Sequence, residues 1–386
     1  MKKKKLLFIN KGFQLGGIEM ALANLVDEIC NTYDVTLAIF QSEGPMRDRV
    51  PANVRLLKLA PFTEVLGMGL NDCKAHGTFA QKAFKVIGSV WAKLFGNTLP
   101  IAFALAFQKH IGEYDIVISY HQEQGPETLV AGFGEFALKK TTAKKKIAWI
   151  HADVTATGLA TRKNMKTYAK FDQIVSVSKT AMEIFKAAYP SLADKCDYCY
   201  NAIPVTEIMH KGQLEQNVYE KSEEDTILFS ACRLTEEKGL IPALHNLHMT
   251  FKNNPNLKWF IAGVGPLEQK LRSLIKQMDL ESQVFLLGFK KNPYPYMAEA
   301  DFLFLPSLHE SFSMVVHEAH ILGTQVIASD IPVMKEVSSE NDYLCKNQDY
   351  ATTIEKLLNK DIQRNCSLEM STKFDWKTQF EKIMEC

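Results

Sequence analysis

The chain has 386 residues, 46% of them hydrophobic and 23% charged, with a formal net charge of +1. That length implies two or three domains with ample core, and the composition excludes a disordered or fibrous chain. The charge is uneven: residues 1–200 carry 26 Lys and Arg against 18 Asp and Glu, or +8, and the remainder carries 19 against 26, or −7.

Apolar runs alternate with helical patterns along nearly the whole chain. The start, "MKKKKLLFIN", is basic, but its apolar run is too short for a secretory leader. "KLLFI" leads through a glycine-bearing loop into the helix "IEMALANLVDEI". "VTLAIF", "VRLLKL", a long helical region, "YDIVISY", a helix, "KKIAWI" and "QIVSVS" follow. Short continuous apolar strands separated by helices predict a parallel sheet covered on both faces. After about residue 203 the polar segment "TEIMHKGQLEQNVYEKSEED" interrupts the pattern. It restarts with "TILFSA", a helix from 238, "LKWFIA", a helix from 266, "VFLLGF", a short helix near 296, "DFLFLP", the helix after 312, and "QVIAS". The expected architecture is α/β, with two tandem Rossmann-like doubly wound domains. Residues 1–203 form the first, 204–224 a linker, 225–370 the second and 371–386 a final helix.

Ligands of such domains bind beyond the carboxyl ends of the strands, which selects the residues to inspect. After the first strand, Gly16 and Gly17 turn the backbone into a helix whose N–H groups suit an anion, although a plain turn has the same form. His151 follows "KKIAWI", and His121 ends "IVISYH" with a lower claim. After "TILFSA", Arg233 leaves the strand and Lys238 begins the next helix. Two cations there suit a diphosphate, Arg as a planar fork and Lys as a point charge. Gly263 and Gly265 make a second tight turn suited to a nucleotide's close approach.

The stretch "LPSLHESFSMVVHEAHILGTQVIASD" places Glu310 in a turn and Glu318 on the helix opened by Ser311, Phe312, Ser313 and Met314. Eight helical residues rotate by about 80° net of full turns, so both carboxylates reach one side. Carboxylates accept hydrogen bonds from sugar hydroxyls, and the helix start between them suits phosphate. A helix cap and a structural ion pair are the alternative roles. His317, Glu318 and His320 lack the H-E-x-x-H spacing, so no metal is expected. Cys196 and Cys199 point to opposite faces of "CDYCYNAI" and predict neither zinc nor redox chemistry. The eight cysteines are scattered without a pairing pattern, which fits a reduced cytoplasmic protein.

Together "GG" at 16–17, "RLTEEKG" at 233–239, "GVGP" at 263–266, "VFLLGF" at 284–289 and the block from 296 to 330 resemble the retaining glycosyltransferases of family 4, with their GT-B fold. Glu310 and Glu318 match the E-x(7)-E signature of that family. The resemblance implies two domains facing a cleft and a C-terminal helix, "FDWKTQFEKIMEC", crossing back to the first. It implies a nucleoside diphosphate sugar as co-substrate and no metal cofactor. Arg233 and Lys238 would hold the diphosphate, Glu310 the transferred sugar, and Glu318 the ribose or nearby hydroxyls. The main chain of Phe312 to Met314 would approach the donor, Gly16 and Gly17 would let the first domain close over it, and His151 would stand by the reacting carbon or the acceptor. Ser311 and Ser313 depart from the glycines frequent in the family, and Gln325 from its proline. A non-catalytic sugar-nucleotide-binding subunit and a sugar-nucleotide epimerase are the competing readings.

The first domain is expected to take a glycan or lipid-linked acceptor, and no nucleic acid. In "FAQKAFKVIGSVWAKLFG", residues 79–96, Lys82, Lys85, Ser89 and Lys93 form one stripe of a helix, opposite Val86, Ile87, Val90, Trp91, Leu94 and Phe95. That pattern fits a peripheral helix on an anionic membrane surface at the inner face of the plasma membrane, and equally a helix with its apolar side in the core.

Overall fold

The structure, a computed structural model, describes residues 3–358 and 374–385. The chain divides into two compact units, Met1–Ala202 with Trp376–Cys386, and Ile203–Asp375.

The first unit holds seven strands: β1 Lys5–Gly12, β2 Asp34–Gln41, β3 Arg55–Leu57, β4 Glu113–Ser119, β5 Thr142–Ile150, β6 Gln173–Ser176 and β7 Cys196–Tyr198. They lie in the order β3-β2-β1-β4-β5-β6-β7, and every pairing is parallel. The central strands read as near-continuous apolar runs because helices cover both faces, so Leu6, Leu7, Phe8 and Ile9 of β1 are all fully buried. The final helix, Trp376–Met384, belongs to this unit. Lys4 and Lys145 donate to the carbonyls of Met384 and Ile383 at 2.9 and 2.7 Å, where a helix end leaves acceptors unsatisfied. Phe380 fills the space beside Tyr33 and Trp149. Residues 371–373 of the expected helix lie outside the described residues.

The second unit holds β8 Thr226–Ala231, β9 Leu257–Ala262, β10 Val284–Gly288, β11 Phe302–Leu305, β12 Gln325–Ser329 and β13 Tyr343–Cys345. Their order is β10-β9-β8-β11-β12-β13, again with parallel pairing throughout. Its core gathers Leu228, Trp259, Ile261, Phe304 and Ile327 from the strands.

One expectation changes, and one of two open alternatives is removed. The segment 204–224 is not a bare linker, because Val205–Gly212 is a helix and belongs to the second unit. Its Ile208 is fully buried against Tyr294 and Ile321. One apolar residue per turn was enough to dock it within an otherwise polar stretch. The helix Phe79–Phe95 does not turn its apolar side inward: its buried residues are Gln81, Lys85, Gly88 and Ala92. A capping box sets its start, with Gln81 N donating to Thr78 Oγ1 at 3.4 Å and Thr78 N to Gln81 Oε1 at 2.9 Å.

Candidate functional site

In a doubly wound sheet the strand order reverses once, and the loops leaving the two strands there part to open a crevice. In the second unit the reversal falls between β8 and β11. Arg233 and Lys238 follow β8, and Ser307 and Glu310 follow β11. Lys238 Nζ sits 2.6 Å from Glu310 Oε1, their side chains 19% and 12% exposed. Ser307 Oγ donates to the same oxygen at 2.8 Å. Burial opposes the Lys238 ammonium, but the Glu310 carboxylate overcomes it and holds the pKa above the ordinary lysine value.

Lys238 does not begin the helix. It ends a tight turn, Glu236–Lys238, and the helix runs Leu240–Asn253 after Gly239. Gly239 has φ +63°, and a Cβ there would lie 2.0 Å from the Pro306 carbonyl oxygen, so the β8 and β11 loops touch at this point. That contact brings Lys238 to Glu310. Arg233 stays at the rim, 70% exposed, with Nη2 3.6 Å from Glu237 Oε1.

Gly263 and Gly265 also admit a close neighbour within the protein. Their Cβ positions would fall 1.8 Å from the Cys232 oxygen and 2.4 Å from the Leu234 oxygen, so the backbone they admit is that of the β8 loop. They shape the loop that carries Arg233.

Beyond Glu310 the helix Met314–Leu322 starts after Ser313, which adopts a left-handed φ of +56°. Phe312, 3% exposed, stacks on His317 with ring centroids 4.4 Å apart and pins the turn. A side chain in that backbone region costs about 1–2 kcal/mol. Ser313→Gly is therefore expected to stabilise the fold, by about 0.5–1 kcal/mol once the freer unfolded glycine is subtracted. Chemical denaturation measures it, and a loss of stability would mean that the serine hydroxyl has a structural role. Glu318 is the second carboxyl, accepting a hydrogen bond from Tyr294 Oη at 3.4 Å. Burial pushes its pKa up to about 7, and the tyrosine bond offsets only part of the effect. Tyr294 and Ser307 escaped the sequence reading, since a lone tyrosine or serine carries no spacing signal.

In the first unit the order reverses between β1 and β4. Gly16 is the extended residue before the helix Gly17–Ile29, and space is open at the Gly17 Cα. His121 lies two residues past the end of β4, while His151 directly follows β5, one strand away. The His151 ring packs against Tyr120 at 4.5 Å, and its backbone N–H donates to Gln122 Oε1 at 3.3 Å. Burial lowers the His151 pKa to about 3, with the Tyr120 backbone opposing. His121 is lowered well below its usual value by burial and by Lys11 and His151 nearby. Both imidazoles are thus neutral at pH 7, able to position a hydroxyl but carrying no charge. Nδ1 of His121 and Nε2 of His151 have no hydrogen-bond partner among the described residues.

Comparison with known proteins bears on these features. The fold matches that of solved glycosyltransferases of the GT-B type. It superposes on Anabaena HepE, whose crystal structure holds UDP and glucose, with a TM-score of 0.67 and 17% identity, covering 98% of both chains. Staphylococcus aureus TarM gives 0.66 at 13% identity, over 99% of both chains. Among curated proteins, the Campylobacter jejuni N-acetylgalactosamine-N,N'-diacetylbacillosaminyl-diphospho-undecaprenol 4-alpha-N-acetylgalactosaminyltransferase is 35% identical over 166 residues, 42% of each chain. The Escherichia coli O-antigen biosynthesis glycosyltransferase WclY is 29% identical over 168 residues, 43% of this chain and 46% of the relative. The chain spans about half the length of the curated relatives it matches. Residues 213–372, which include Arg233, Lys238, Glu310 and Glu318, match the family described as glycosyl transferases group 1.

Proposed function

We propose that this protein is a retaining glycosyltransferase of family 4. It moves a sugar from a nucleoside diphosphate sugar to an acceptor hydroxyl in bacterial cell-surface polysaccharide or glycolipid synthesis. The observation that carries the reading is the Lys238–Glu310 pair at the switch point of the second unit, within the stretch that matches the family. Relatives named for O-antigen and diphospho-undecaprenol glycan synthesis support the substrate class.

Lys238, with Arg233 swinging in from the rim, takes the donor diphosphate. Phe312 to Met314 supply main-chain N–H groups at the turn into the helix Met314–Leu322, Glu310 binds the transferred sugar and Glu318 the ribose or nearby hydroxyls. Transfer breaks the bond from the anomeric carbon to the diphosphate oxygen as the acceptor oxygen bonds to that carbon on the same face. The acceptor proton passes to the leaving diphosphate. Negative charge grows on the leaving group, so fixed cations there stabilise the transition state more than the ground state. No metal is required for that role, and neither glutamate need attack. His151 is neutral and orients the acceptor or the sugar. The acceptor is a glycan or a lipid-linked sugar, met at the inner face of the plasma membrane by a peripheral protein. No helix among the described residues is long and apolar enough to cross a membrane.

Thermal unfolding against a panel of nucleotide sugars tests the reading. The cognate donor at about 100 times its Kd is expected to add about 2.7 kcal/mol, and to leave Lys238→Ala unshifted. If none of the panel stabilises the protein, the donor site is wrong. The anomeric configuration of the product, read by NMR, decides retention.

A further inference from the structure

The helix Phe79–Phe95 turns its apolar side away from the protein. Ile87, Trp91 and Phe95 recur every fourth residue and are 68%, 40% and 71% exposed. Val86, Val90 and Leu94 make the adjoining row at 49%, 54% and 68%. The next helix, Thr98–Ala106, extends the strip. Leu99, Phe103 and Phe107, again four apart, are 63%, 49% and 53% exposed. Phe103 stacks on Phe84 of the first helix with ring centroids 5.4 Å apart, so the two rows adjoin. Large apolar side chains gathered on neighbouring helices mark an interaction surface, unlike the scattered exposure of ordinary surfaces.

Lys85 fixes this orientation. Its ammonium is buried and donates to the carbonyls of Val65 and Met68 at 3.3 and 2.5 Å. Rolling the apolar side inward would strip both carbonyls of their donor.

Charge selects what covers the strip. From Cys73 to Gly112 the sequence has no carboxylate but five lysines, 74, 82, 85, 93 and 109. By helical rotation Lys82 and Lys93 flank the Val86–Leu94 row. A twofold contact with a second copy would set this strip against itself, cations facing cations. An anionic lipid surface complements it, with acyl chains for the aliphatic residues, the headgroup boundary for Trp91 and phosphates for the lysines. We infer that the two helices insert into one leaflet of an anionic bilayer and seat the first unit there. This deepens the membrane location proposed above, and it is read without donor or acceptor, so its failure and a failure of sugar transfer are separate results.

The test is flotation with phosphatidylethanolamine vesicles carrying about one-third phosphatidylglycerol, an anionic fraction chosen to attract surface lysines. The protein is expected to float, with Trp91 emission moving to shorter wavelength. Ile87→Ser with Leu94→Ser is expected to weaken binding by about a hundredfold, the scale of two lost large apolar side chains. Lys82→Gln with Lys93→Gln is expected to weaken it by about tenfold or more and flatten its salt dependence. Unchanged thermal unfolding shows that both variants fold. A wild-type protein that stays with the unbound fraction, or variants that float equally well, would overturn the inference. So would concentration-dependent dimers dissolved by Ile87→Ser with Leu94→Ser, which would give the strip to a second copy.

Discussion

Lys238→Ala is expected to lower kcat/KM for sugar transfer by about 10²–10³, or about 3–4 kcal/mol, the loss seen when one preorganised donor to a developing anion is removed. The substitution has a second effect. Glu310, its partner at 2.6 Å, is left without its counter-ion in a position only 12% exposed. An ion stranded there destabilises the loop, and part of the activity loss then reflects misfolding. Lys238→Ala with Glu310→Gln separates the two effects, since the pair becomes neutral and stability returns. If the double variant also regains turnover, the lysine was only neutralising a carboxylate. If it remains slow while stably folded, misfolding is not the cause, and comparison with Glu310→Gln alone gives the share that the lysine contributes, since the glutamate is itself placed on the transferred sugar. Near-normal turnover in Lys238→Ala alone would remove the lysine's role on the leaving diphosphate at once.

Glu318→Gln is expected to stabilise the protein, and only at high pH. The Glu318 pKa stands at about 7 against an ordinary 4.5, raised by burial. The sign follows from proton binding. Between pH 4.5 and 7 the unfolded chain releases this proton while the folded state retains it, so stability is lost as pH rises through that window. Below 4.5 both states are protonated and nothing is lost. Glutamine stays neutral throughout, so the variant should match wild type at pH 4 and exceed it by up to about 3 kcal/mol at pH 8. Denaturant melts across that range measure the gap, and a gap that does not vary with pH contradicts a titrating buried carboxyl. If Glu318 holds the ribose, the variant should also bind nucleotide less well above pH 7, because the ionised carboxylate offers two charged oxygens to the hydroxyls where the amide offers one neutral oxygen. A site that weakens the fold at the pH where it binds best fits a residue kept for a ligand rather than for packing.

The sheets were legible because strands buried on both faces carry a strong apolar signal with glycine or proline at their ends. The candidate residues were legible for the same reason, since a doubly wound sheet presents whatever follows its strands. What stayed hidden depends on contacts between distant segments. Gly239 meeting the Pro306 carbonyl is such a contact. So is the buried ammonium of Lys85, which reverses the sense of an amphipathic helix by finding two carbonyls far along the chain. Periodicity finds an apolar stripe but not the direction it faces. The left-handed Ser313 was equally silent, because serine gives no hint of a backbone state usually left to glycine.

The ion pair between Lys238 and Glu310 also bears on which solutes the pocket ignores. A lysine alone in a crevice would collect any small anion, inorganic phosphate included. Here the resident carboxylate is tethered to the same chain, so a newcomer competes with a counter-ion at high effective concentration. A bare anion gains the lysine but leaves the glutamate without a partner. A molecule carrying both phosphate and hydroxyl groups serves the two together, so the pair favours that bifunctional chemistry over a bare anion.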